Sequence, residues 1–290
     1  MNRLALGTAQ FGMNYGIANN QGQVPLTDAT EILRLAQMAG IDTIDTASAY
    51  GSSESVLGHI GMDNWRVVTK LPPLPTHVKD VYRWACDEVD ASLKRLGIDC
   101  LHGLLLHRSE LLLGSHAADI QRAMRELKAQ GKVRKTGVSI YNPHELDLLE
   151  TASDIELVQS PLSIFDRRLI ESGWLDRLLV RGVEVHTRSV FLQGLLLIPA
   201  AQRPLKFQRW SRTWDAWDHW LNRLALTPLQ ACLRYPLSIP GVSRVVVGVD
   251  GAQHLSEILS AVDSSDLPDL PDWPEMPSVE LLNPSLWQQL

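Results

Sequence analysis

Eight short runs of aliphatic and β-branched residues alternate with segments of helical periodicity along most of the chain. The runs are Leu4 to Gly7, Ile41 to Asp45, Arg66 to Lys70, Gly103 to His107, Lys135 to Ser139, Ile155 to Gln159, Val183 to Ser189 and Val245 to Gly248. Between them, stretches such as Val81 to Leu96 place apolar residues on one helical face. Strands that alternate with helices pair in parallel, and eight such units close into a barrel. We therefore predict an α/β fold, a (β/α)8 TIM barrel.

An open, doubly wound parallel sheet is the alternative architecture. It is disfavoured because no strand-to-helix turn carries the G-x-G-x-x-G pattern that lets such a sheet bind a dinucleotide. The sequence predicts one domain over residues 1–263 and a proline-rich carboxyl-terminal tail over residues 264–290.

Composition narrows the classes of function. The chain has 27 Lys and Arg against 33 Asp and Glu, a net charge of −6, and no basic run, which disfavours nucleic acid or an anionic membrane as a partner. The richest apolar stretch, Phe191 to Ala201, falls short of the roughly 18 residues of a membrane span. The chain has three cysteines, an odd number, and none form a C-x-x-C pair. This pattern disfavours a disulfide framework and a metal site, and it predicts that the protein is located in a reducing cytoplasm. A small molecule is the expected partner, and the oligomeric state stays open.

Ionisable side chains end three consecutive predicted strands. Asp45, Lys70 and His107 each close a strand, and the carboxyl ends of barrel strands meet at one rim. Neighbouring strands lie about 4.8 Å apart, so Asp45 and Lys70 are predicted to pair. Tyr50 follows five residues after Asp45 and is expected over the same mouth.

These four residues suggest a proton donor for a carbonyl oxygen. An ammonium close to a phenol lowers its pKa, so Lys70 is expected to activate Tyr50. Asp45 would keep Lys70 charged and oriented, and His107 would hydrogen-bond the carbonyl oxygen. The sequence contains neither the H-E-x-x-H spacing of a metalloenzyme nor the G-x-S-x-G turn of a serine hydrolase, so neither class is indicated.

Short motifs in a fixed order make the sequence resemble the aldo-keto reductases over about residues 3 to 262. They are Leu6-Gly7-Thr8, Ile44 to Gly51, Val68-Thr69-Lys70, Leu105-Leu106-His107, Gly137-Val138-Ser139, Phe165 to Arg168 and Gln193 to Leu196. The resemblance implies a (β/α)8 barrel that reduces aldehydes, ketones or sugar-derived carbonyls with a nicotinamide coenzyme. It places the catalytic tetrad on Asp45, Tyr50, Lys70 and His107, with Tyr50 as general acid.

The same resemblance assigns a set of coenzyme-binding residues. They are Gly7, Thr8, Asp45, Ser139, Gln159, Arg188, Ser189, Phe191, Gln193, Gly194, Gly248, Asp250, His254 and Glu257. The nicotinamide is expected near Ser139 and Gln159. NADPH is the expected coenzyme by the family pattern. In family members that prefer NADPH, a Lys and an Arg often hold its 2′-phosphate, and this sequence has Gly248 and His254 at those positions. Use of NADH, or of both coenzymes, is therefore also expected.

Two further departures from the family pattern bear on the site. Ile140 follows Ser139 where an asparagine is common, and Arg188 replaces a tyrosine that often stacks on the nicotinamide. A guanidinium can stack on an aromatic ring, and a salt bridge at the rim is the alternative for Arg188. Aromatic residues are expected to wall the substrate pocket: Phe11, Tyr15, Phe165, Phe191, and Trp273 or Trp287 from the tail.

Four tryptophans, Trp210, Trp214, Trp217 and Trp220, recur at helical spacing before the last strand. We expect them on one apolar helix face, packed on the barrel or at an oligomer contact. Two other functions stay open. One is a nicotinamide-binding regulatory subunit with little turnover, and the other is a coenzyme-free barrel isomerase or lyase that uses Lys70 as a Schiff-base nucleophile.

Overall fold

Eight parallel strands close into a barrel in the order of the chain. A computed structural model describes residues 2–149, 155–262, 270–271 and 273–290. The strands are β1 (Leu4–Gly7), β2 (Thr43–Asp45), β3 (Arg66–Leu71), β4 (Leu101–Leu106), β5 (Val133–Ser139), β6 (Leu157–Pro161), β7 (Glu184–Arg188) and β8 (Arg244–Gly248). Leu4 of β1 pairs with Val245 of β8, which closes the barrel. The predicted (β/α)8 barrel is confirmed.

Helices connect the strands on the outside of the barrel. They are α1 (Ala9–Gly12), α2 (Leu26–Met38), α3 (Ser53–Ile60), α4 (Val81–Leu96), α5 (Ala117–Ala129), α6 (His144–Leu149), α7 (Arg168–Glu171), α8 (Trp174–Val180), α9 (Ser211–Leu224), α10 (Pro228–Ser238), α11 (Ala252–Val262) and α12 (Val279–Leu282). Short 3-10 turns cover Ser109–Leu112, Leu195–Leu197, Ala200–Gln202, Leu205–Trp210 and Pro284–Gln289.

Local signals explain why α4 has the predicted ends. The side chain of Asp80 accepts a hydrogen bond from the backbone N–H of Arg83, which caps the first turn. Gly97 ends the helix with a φ of 67°, a left-handed conformation that glycine adopts without strain.

The barrel interior separates an apolar layer from a polar one. Val68, Leu105 and Leu157 are fully buried and form a small cluster inside the barrel. The carboxyl ends of the strands carry buried polar side chains instead, namely Asp45, Lys70, Ser139 and Gln159. Chemistry in this fold is built at the carboxyl ends, so this layer marks the functional end.

A second charged cluster lies at the amino ends of β4, β5 and β7. The carboxylate of Glu184 accepts hydrogen bonds from His186 Nε2 at 2.7 Å, Lys135 Nζ at 2.6 Å and His102 Nε2 at 3.2 Å. Burial alone would raise the pKa of Glu184, but these hydrogen bonds outweigh it and hold the pKa far below its usual range. The cluster ties three strands together away from the functional end.

The tryptophan face of α9 packs against Phe165, which in turn contacts the tail. Trp214, Trp217 and Trp220 are buried. The ring of Phe165 lies 5.4 Å from Trp214 and 4.6 Å from Trp273 of the tail, measured between centroids. The prediction that these tryptophans pack as one apolar face is confirmed for the helix, and Trp210 lies in the turn that precedes it.

Several other predictions bear on chain organisation. No described helix is long and apolar enough to cross a membrane. In the part of the chain that the structure describes, the cysteines are unpaired and no cluster of His, Cys, Asp or Glu could hold a metal ion. The predicted boundary at residue 263 and Pro268 lie outside the described residues, so the division into barrel and tail stays a prediction.

Candidate active site

A cavity of about 610 Å³ opens at the carboxyl ends of the strands. Every residue that the sequence assigned to catalysis or to the coenzyme lines it. These are Gly7, Thr8, Asp45, Tyr50, Lys70, His107, Ser139, Gln159, Arg188, Ser189, Phe191, Gln193, Gly194, Gly248, Asp250, His254 and Glu257. The fold therefore brings the whole predicted set together at one cavity.

Asp45 and Lys70 form a buried ion pair, as the sequence predicted. Lys70 Nζ donates to Asp45 Oδ1 at 2.8 Å and to Oδ2 at 2.9 Å, and it also donates to the backbone oxygen of Thr46 at 2.9 Å. The side chains of Lys70 and Asp45 are only 1% and 6% exposed. Because an ammonium has three N–H donors, these bonds use all of them and fix its position.

Gln159 extends this network across the barrel mouth. Its Nε2 donates to Asp45 Oδ2 at 2.6 Å, and its Oε1 accepts a hydrogen bond of 3.2 Å from Ser139 Oγ. The side chains of β2, β3, β5 and β6 are thus joined in one buried chain of polar contacts. Such a network holds Asp45 rigidly at the floor of the cavity.

Tyr50 lies beside this pair on the loop between β2 and α3. Lys70 Nζ lies 5.2 Å from the centroid of its ring. Burial, and next the negative charge of Asp45, raise the pKa of the Tyr50 phenol well above its ordinary value, while Arg188 opposes the shift. The prediction that Lys70 lowers this pKa is wrong for the net shift, because burial and the charge of Asp45 dominate. The phenol keeps its proton at neutral pH and can donate it.

His107 faces Tyr50 at the end of β4. The two rings are perpendicular, with centroids 6.0 Å apart and an interplanar angle of 84°. Burial, and then the positive charges of Lys70 and Arg188, lower the pKa of His107 to about 4. The imidazole is therefore neutral at pH 7, and its buried Nδ1 atom has no hydrogen-bond partner among the described residues. A neutral imidazole can donate one hydrogen bond to a carbonyl oxygen.

Arg188 is held on the cavity wall by neutral groups. Its guanidinium donates to the backbone oxygen of Ile140 at 2.9 Å and to Ser189 Oγ at 3.1 Å. The guanidinium carbon lies 4.4 Å from the centroid of the Tyr141 ring. The side chain thus stacks on an aromatic ring of the protein, and the salt bridge considered from the sequence is not formed with any described residue. Ile140 itself is fully buried and contributes its backbone.

The loop after β7 has a strained backbone next to the cavity. Ser189, Leu192 and Gln193 have φ values of 64°, 46° and 53°, which residues other than glycine rarely adopt. Gly194 follows with a φ of 92°. The backbone oxygen of Gln193 accepts a hydrogen bond from Ile17, so the loop is fixed against the segment after α1. Strained loops of this kind are common at ligand sites.

Acidic residues dominate the cavity next to β8. Asp250 and Glu257 line it together with His254, whose Nδ1 lies 3.8 Å from the Asp250 carboxylate. Burial raises the pKa of Asp250, while His254 and Gln10 act in the opposite direction. Gly248 leaves room here for the amide of Gln10, which an added Cβ would approach to 2.7 Å.

Some lining residues were missed and some predicted ones are absent from the cavity. Gln10, Met13, Asn19 and Tyr141 line it and were not predicted. Gln10 and Tyr141 each stand within three residues of a strand end, a position that could have indicated them. Of the predicted aromatic walls, Tyr15 and Phe191 line the cavity. The remaining aromatic predictions are wrong, because these side chains pack in or against the hydrophobic core: Phe11, Phe165, Trp273 and Trp287.

Comparison with known proteins agrees with this geometry. The model of the aldo/keto reductase family matches residues 3–270. The 6-dehydroglucose reductase of Novosphingobium aromaticivorans is 29% identical over 220 residues, which cover 69% of this chain and 70% of that protein. The NADH-specific methylglyoxal reductase of Escherichia coli is 27% identical over 272 residues, 83% of this chain and 80% of that protein.

A solved structure has the same fold. An aldo-keto reductase of Bacillus halodurans superimposes with a TM-score of 0.71 at 22% identity, over 91% of this chain and 88% of that one. Enzymes of this family use nicotinamide coenzymes. Since the family model spans nearly the whole chain and the barrel agrees, this protein belongs to the aldo/keto reductase family of oxidoreductases that act on carbonyl compounds.

Proposed function

We propose that this protein reduces an aldehyde, a ketone or a sugar-derived carbonyl to an alcohol, with Tyr50 as the proton donor. The observation that carries the proposal is the buried Asp45–Lys70 pair, which lies under a protonated Tyr50 and beside a neutral His107 at one cavity. Reduction of a carbonyl needs a proton donor at the oxygen, and the chain supplies one there.

The residues present fit a nicotinamide coenzyme. Ser139 and Gln159 offer hydroxyl and amide groups for its carboxamide, and the loop from Ser189 to Gly194 would hold its phosphates. Gly7 and Thr8 border the floor of the same cavity. When bound, the reduced coenzyme supplies a hydride to the carbonyl carbon.

Side chains of the protein handle the carbonyl oxygen. His107 donates a hydrogen bond that orients the oxygen, and Tyr50 transfers its proton to that oxygen as negative charge develops there. Lys70 fixes a positive charge 5.2 Å from the Tyr50 ring and stabilises the phenolate that remains. Asp45 and Gln159 keep Lys70 in place.

The choice between NADPH and NADH concerns the end of the cavity at β8. Asp250 and Glu257 line this end. Arg188 and Lys70, the arginine and the lysine among the described lining residues, lie at the other end, beside Tyr50 and His107. A 2′-phosphate beside two carboxylates is electrostatically disfavoured, whereas a ribose hydroxyl can donate to them. The name of the NADH-specific relative is in line with this, so the proposal includes NADH beside NADPH.

The names of the relatives support a small polar substrate. One is a 6-dehydroglucose reductase and another a methylglyoxal reductase, so sugar-derived carbonyls and dicarbonyls are the substrates to try first. For the cellular location of this protein, we propose the reducing cytoplasm.

The two other functions have less support. A Schiff-base lysine needs a free amine, but all three donors of Lys70 are engaged with Asp45 and Thr46. A regulatory subunit would need a docking surface, and the apolar tryptophan face of α9 does not offer one, because Trp214, Trp217 and Trp220 are buried.

The test is oxidation of NADPH and of NADH, followed by absorbance, with a panel of aldehydes, dicarbonyls and sugar aldehydes. Tyr50→Phe is expected to lower turnover by about 10²- to 10⁴-fold, the usual contribution of a general acid. Tyr82→Phe, on α4 outside the cavity, is the matched control and is expected to stay active. Coenzyme binding without turnover of any carbonyl would favour the regulatory function instead.

A further inference from the structure

Three buried hydroxyl groups lie behind the loop that carries Tyr50. They belong to Thr8, Thr46 and Ser53, and all three residues are fully buried. Thr46 and Ser53 lie behind the cavity wall and do not line the cavity. Buried hydroxyl groups need hydrogen-bond partners, and these three bind one another and the backbone at the strand ends.

The direction of each hydrogen bond among these hydroxyls follows from the number of protons. The Thr8 hydroxyl donates to the backbone oxygen of Asp45 at 3.0 Å. The Ser53 hydroxyl donates to Thr8, whose backbone oxygen lies at 2.8 Å and whose hydroxyl oxygen lies at 2.9 Å. Because a hydroxyl has a single proton, the 3.1 Å contact between Thr46 and Ser53 is donated by Thr46. The chain of donors therefore runs from Thr46 through Ser53 to Thr8.

Thr46 connects this chain to both Lys70 and Tyr50. Its backbone oxygen accepts a hydrogen bond from Lys70 Nζ at 2.9 Å. Its hydroxyl binds Ser53, and the backbone N–H of Ser53 donates to the backbone oxygen of Tyr50 at 3.0 Å. Thr46 thus contacts the ammonium directly and the tyrosine loop through one intermediate residue.

Close backbone packing fixes the turn at Tyr50 on α1. A Cβ atom added to Gly12 of α1 would come within 1.7 Å of the Tyr50 backbone oxygen. A Cβ atom added to Gly51 would come within 2.2 Å of the Gly12 backbone oxygen. The turn therefore packs directly on α1, and the Thr46–Ser53 hydrogen bond ties it to the end of β2 as well.

We propose that Thr46 and Ser53 are positioning residues, whose hydrogen bond places the Tyr50 phenol relative to Lys70 and the carbonyl oxygen. Neither residue touches the substrate. Catalysis depends steeply on the distance between reacting groups, so a displacement of about 1 Å can lower the rate by about 10²-fold. This inference rests on the proposed reductase function and names two further residues on which its acid depends.

Thr46→Val tests this role, because it replaces the hydroxyl with a methyl group and keeps the backbone oxygen that binds Lys70. We expect kcat to fall by about 10- to 100-fold, with KM and the Kd of NADH and NADPH within about twofold of the parent. Such a split is expected when an interaction acts only in the transition state. Thr46→Ser keeps the hydroxyl and is expected to keep most of the activity. An unchanged kcat in Thr46→Val, or an equal loss in Thr46→Ser, would overturn the proposal.

A double-mutant cycle isolates the hydrogen bond itself. Ser53→Ala removes the acceptor, so Thr46→Val is expected to lower kcat no further when Ser53→Ala is already present. Losses of kcat that add in the double variant would mean that the two hydroxyls act independently, and would overturn the proposal.

Thr43→Val is a matched control on the same strand as Asp45. The Thr43 hydroxyl is also buried, and it lies at the amino end of β2, where it donates to Asp42 at 2.7 Å and accepts from Arg244 Nε at 2.9 Å. Its removal is expected to lower the melting temperature at least as much as Thr46→Val does, and to leave kcat unchanged. An equal loss of kcat in both variants would attribute the effect to general destabilisation and would overturn the proposal.

A measurement without turnover separates this proposal from the reductase function. The chain has five tyrosines, so NMR of isotope-labelled tyrosine rings can identify Tyr50 by the signal that is missing in Tyr50→Phe. This signal is expected to shift or broaden in Thr46→Val and to return to its parent position in Thr46→Ser. If no carbonyl is reduced with either coenzyme, the reductase function is wrong and the Tyr50 signal alone decides the positioning role. If Tyr50→Phe is inactive while Thr46→Val keeps full activity and an unchanged Tyr50 signal, the reductase function holds and the positioning role is wrong.

Discussion

Gln159 donates a hydrogen bond of 2.6 Å to the Asp45 carboxylate from the far side of the barrel mouth. The sequence assigned Gln159 to the coenzyme alone, yet the contact makes it part of the support for Lys70. Asp45 is thereby held by two strands other than its own, β3 through Lys70 and β6 through Gln159. The ion pair beneath Tyr50 is consequently rigid as well as buried.

Lys70→Met is expected to abolish reduction and to leave coenzyme affinity nearly intact. It also strands a buried carboxylate, which costs about 3–5 kcal/mol of unfolding free energy when one partner of a buried pair is removed. The double variant Lys70→Met with Asp45→Asn is expected to regain most of that stability, because Asn is neutral and still accepts from Gln159, but no activity. Denaturant unfolding and turnover measure the two effects. A fully active Lys70→Met would contradict the assignment of Lys70.

His107 is expected to titrate with a midpoint near 4, because burial and the charges of Lys70 and Arg188 lower its pKa. The unfolded chain binds this proton first, near pH 6.5, so the stability that depends on neutral His107 is complete above about pH 6.5 and falls toward pH 4. NMR titration of the imidazole signals, with His107→Gln to identify the resonance, measures the midpoint. A midpoint at or above 6.5 would contradict the neutral imidazole in the mechanism.

Glu184→Gln is expected to destabilise the fold without changing kcat/KM. Its carboxylate binds His102, His186 and Lys135 at the amino end of the barrel, away from the cavity. We expect a loss of about 1–3 kcal/mol, reduced from the value for a fully buried pair because the Lys135 side chain is 36% exposed.

The pH dependence of that loss has a definite sign. The folded pKa of Glu184 lies below its usual value of 4.5, so the stabilisation is present above about pH 4.5 and disappears as the pH falls below it. The difference in unfolding free energy between parent and Glu184→Gln should shrink under acid. Glu31→Gln removes a solvent-exposed pair with Arg34 and serves as control, with little effect expected at any pH. A drop in kcat/KM for Glu184→Gln with native stability would disprove the structural role.

Features repeated along the chain made the fold predictable. Each strand has a run of branched residues, and α4 has the predicted ends because Asp80 and Gly97 are local signals for them. The ionisable residues at the strand ends could be placed together for the same reason, since all parallel strands end at one rim. Asp45 and Lys70 needed only adjacent strands to be paired.

Properties that depend on long-range packing could not be predicted. The raised pKa of Tyr50 results from its burial and the nearby Asp45 carboxylate, and neither is visible in the spacing of the residues. Phe165 was expected at the substrate and instead packs against Trp214 and Trp273, because the path of the tail is set by contacts far apart in sequence. The direction in which the Phe11 side chain of α1 is buried is likewise decided by the fold as a whole.

Transfer of deuterium from the coenzyme tests the central claim most directly. The parent protein is incubated with NADH or NADPH deuterated at the reactive carbon of the nicotinamide ring and with a carbonyl compound that it turns over, and the product is analysed by mass spectrometry and NMR. We predict one deuterium on the carbon that carries the new hydroxyl, and almost no product with Tyr50→Phe. Product without deuterium at that carbon, or undiminished product with Tyr50→Phe, would contradict hydride transfer with Tyr50 as the acid.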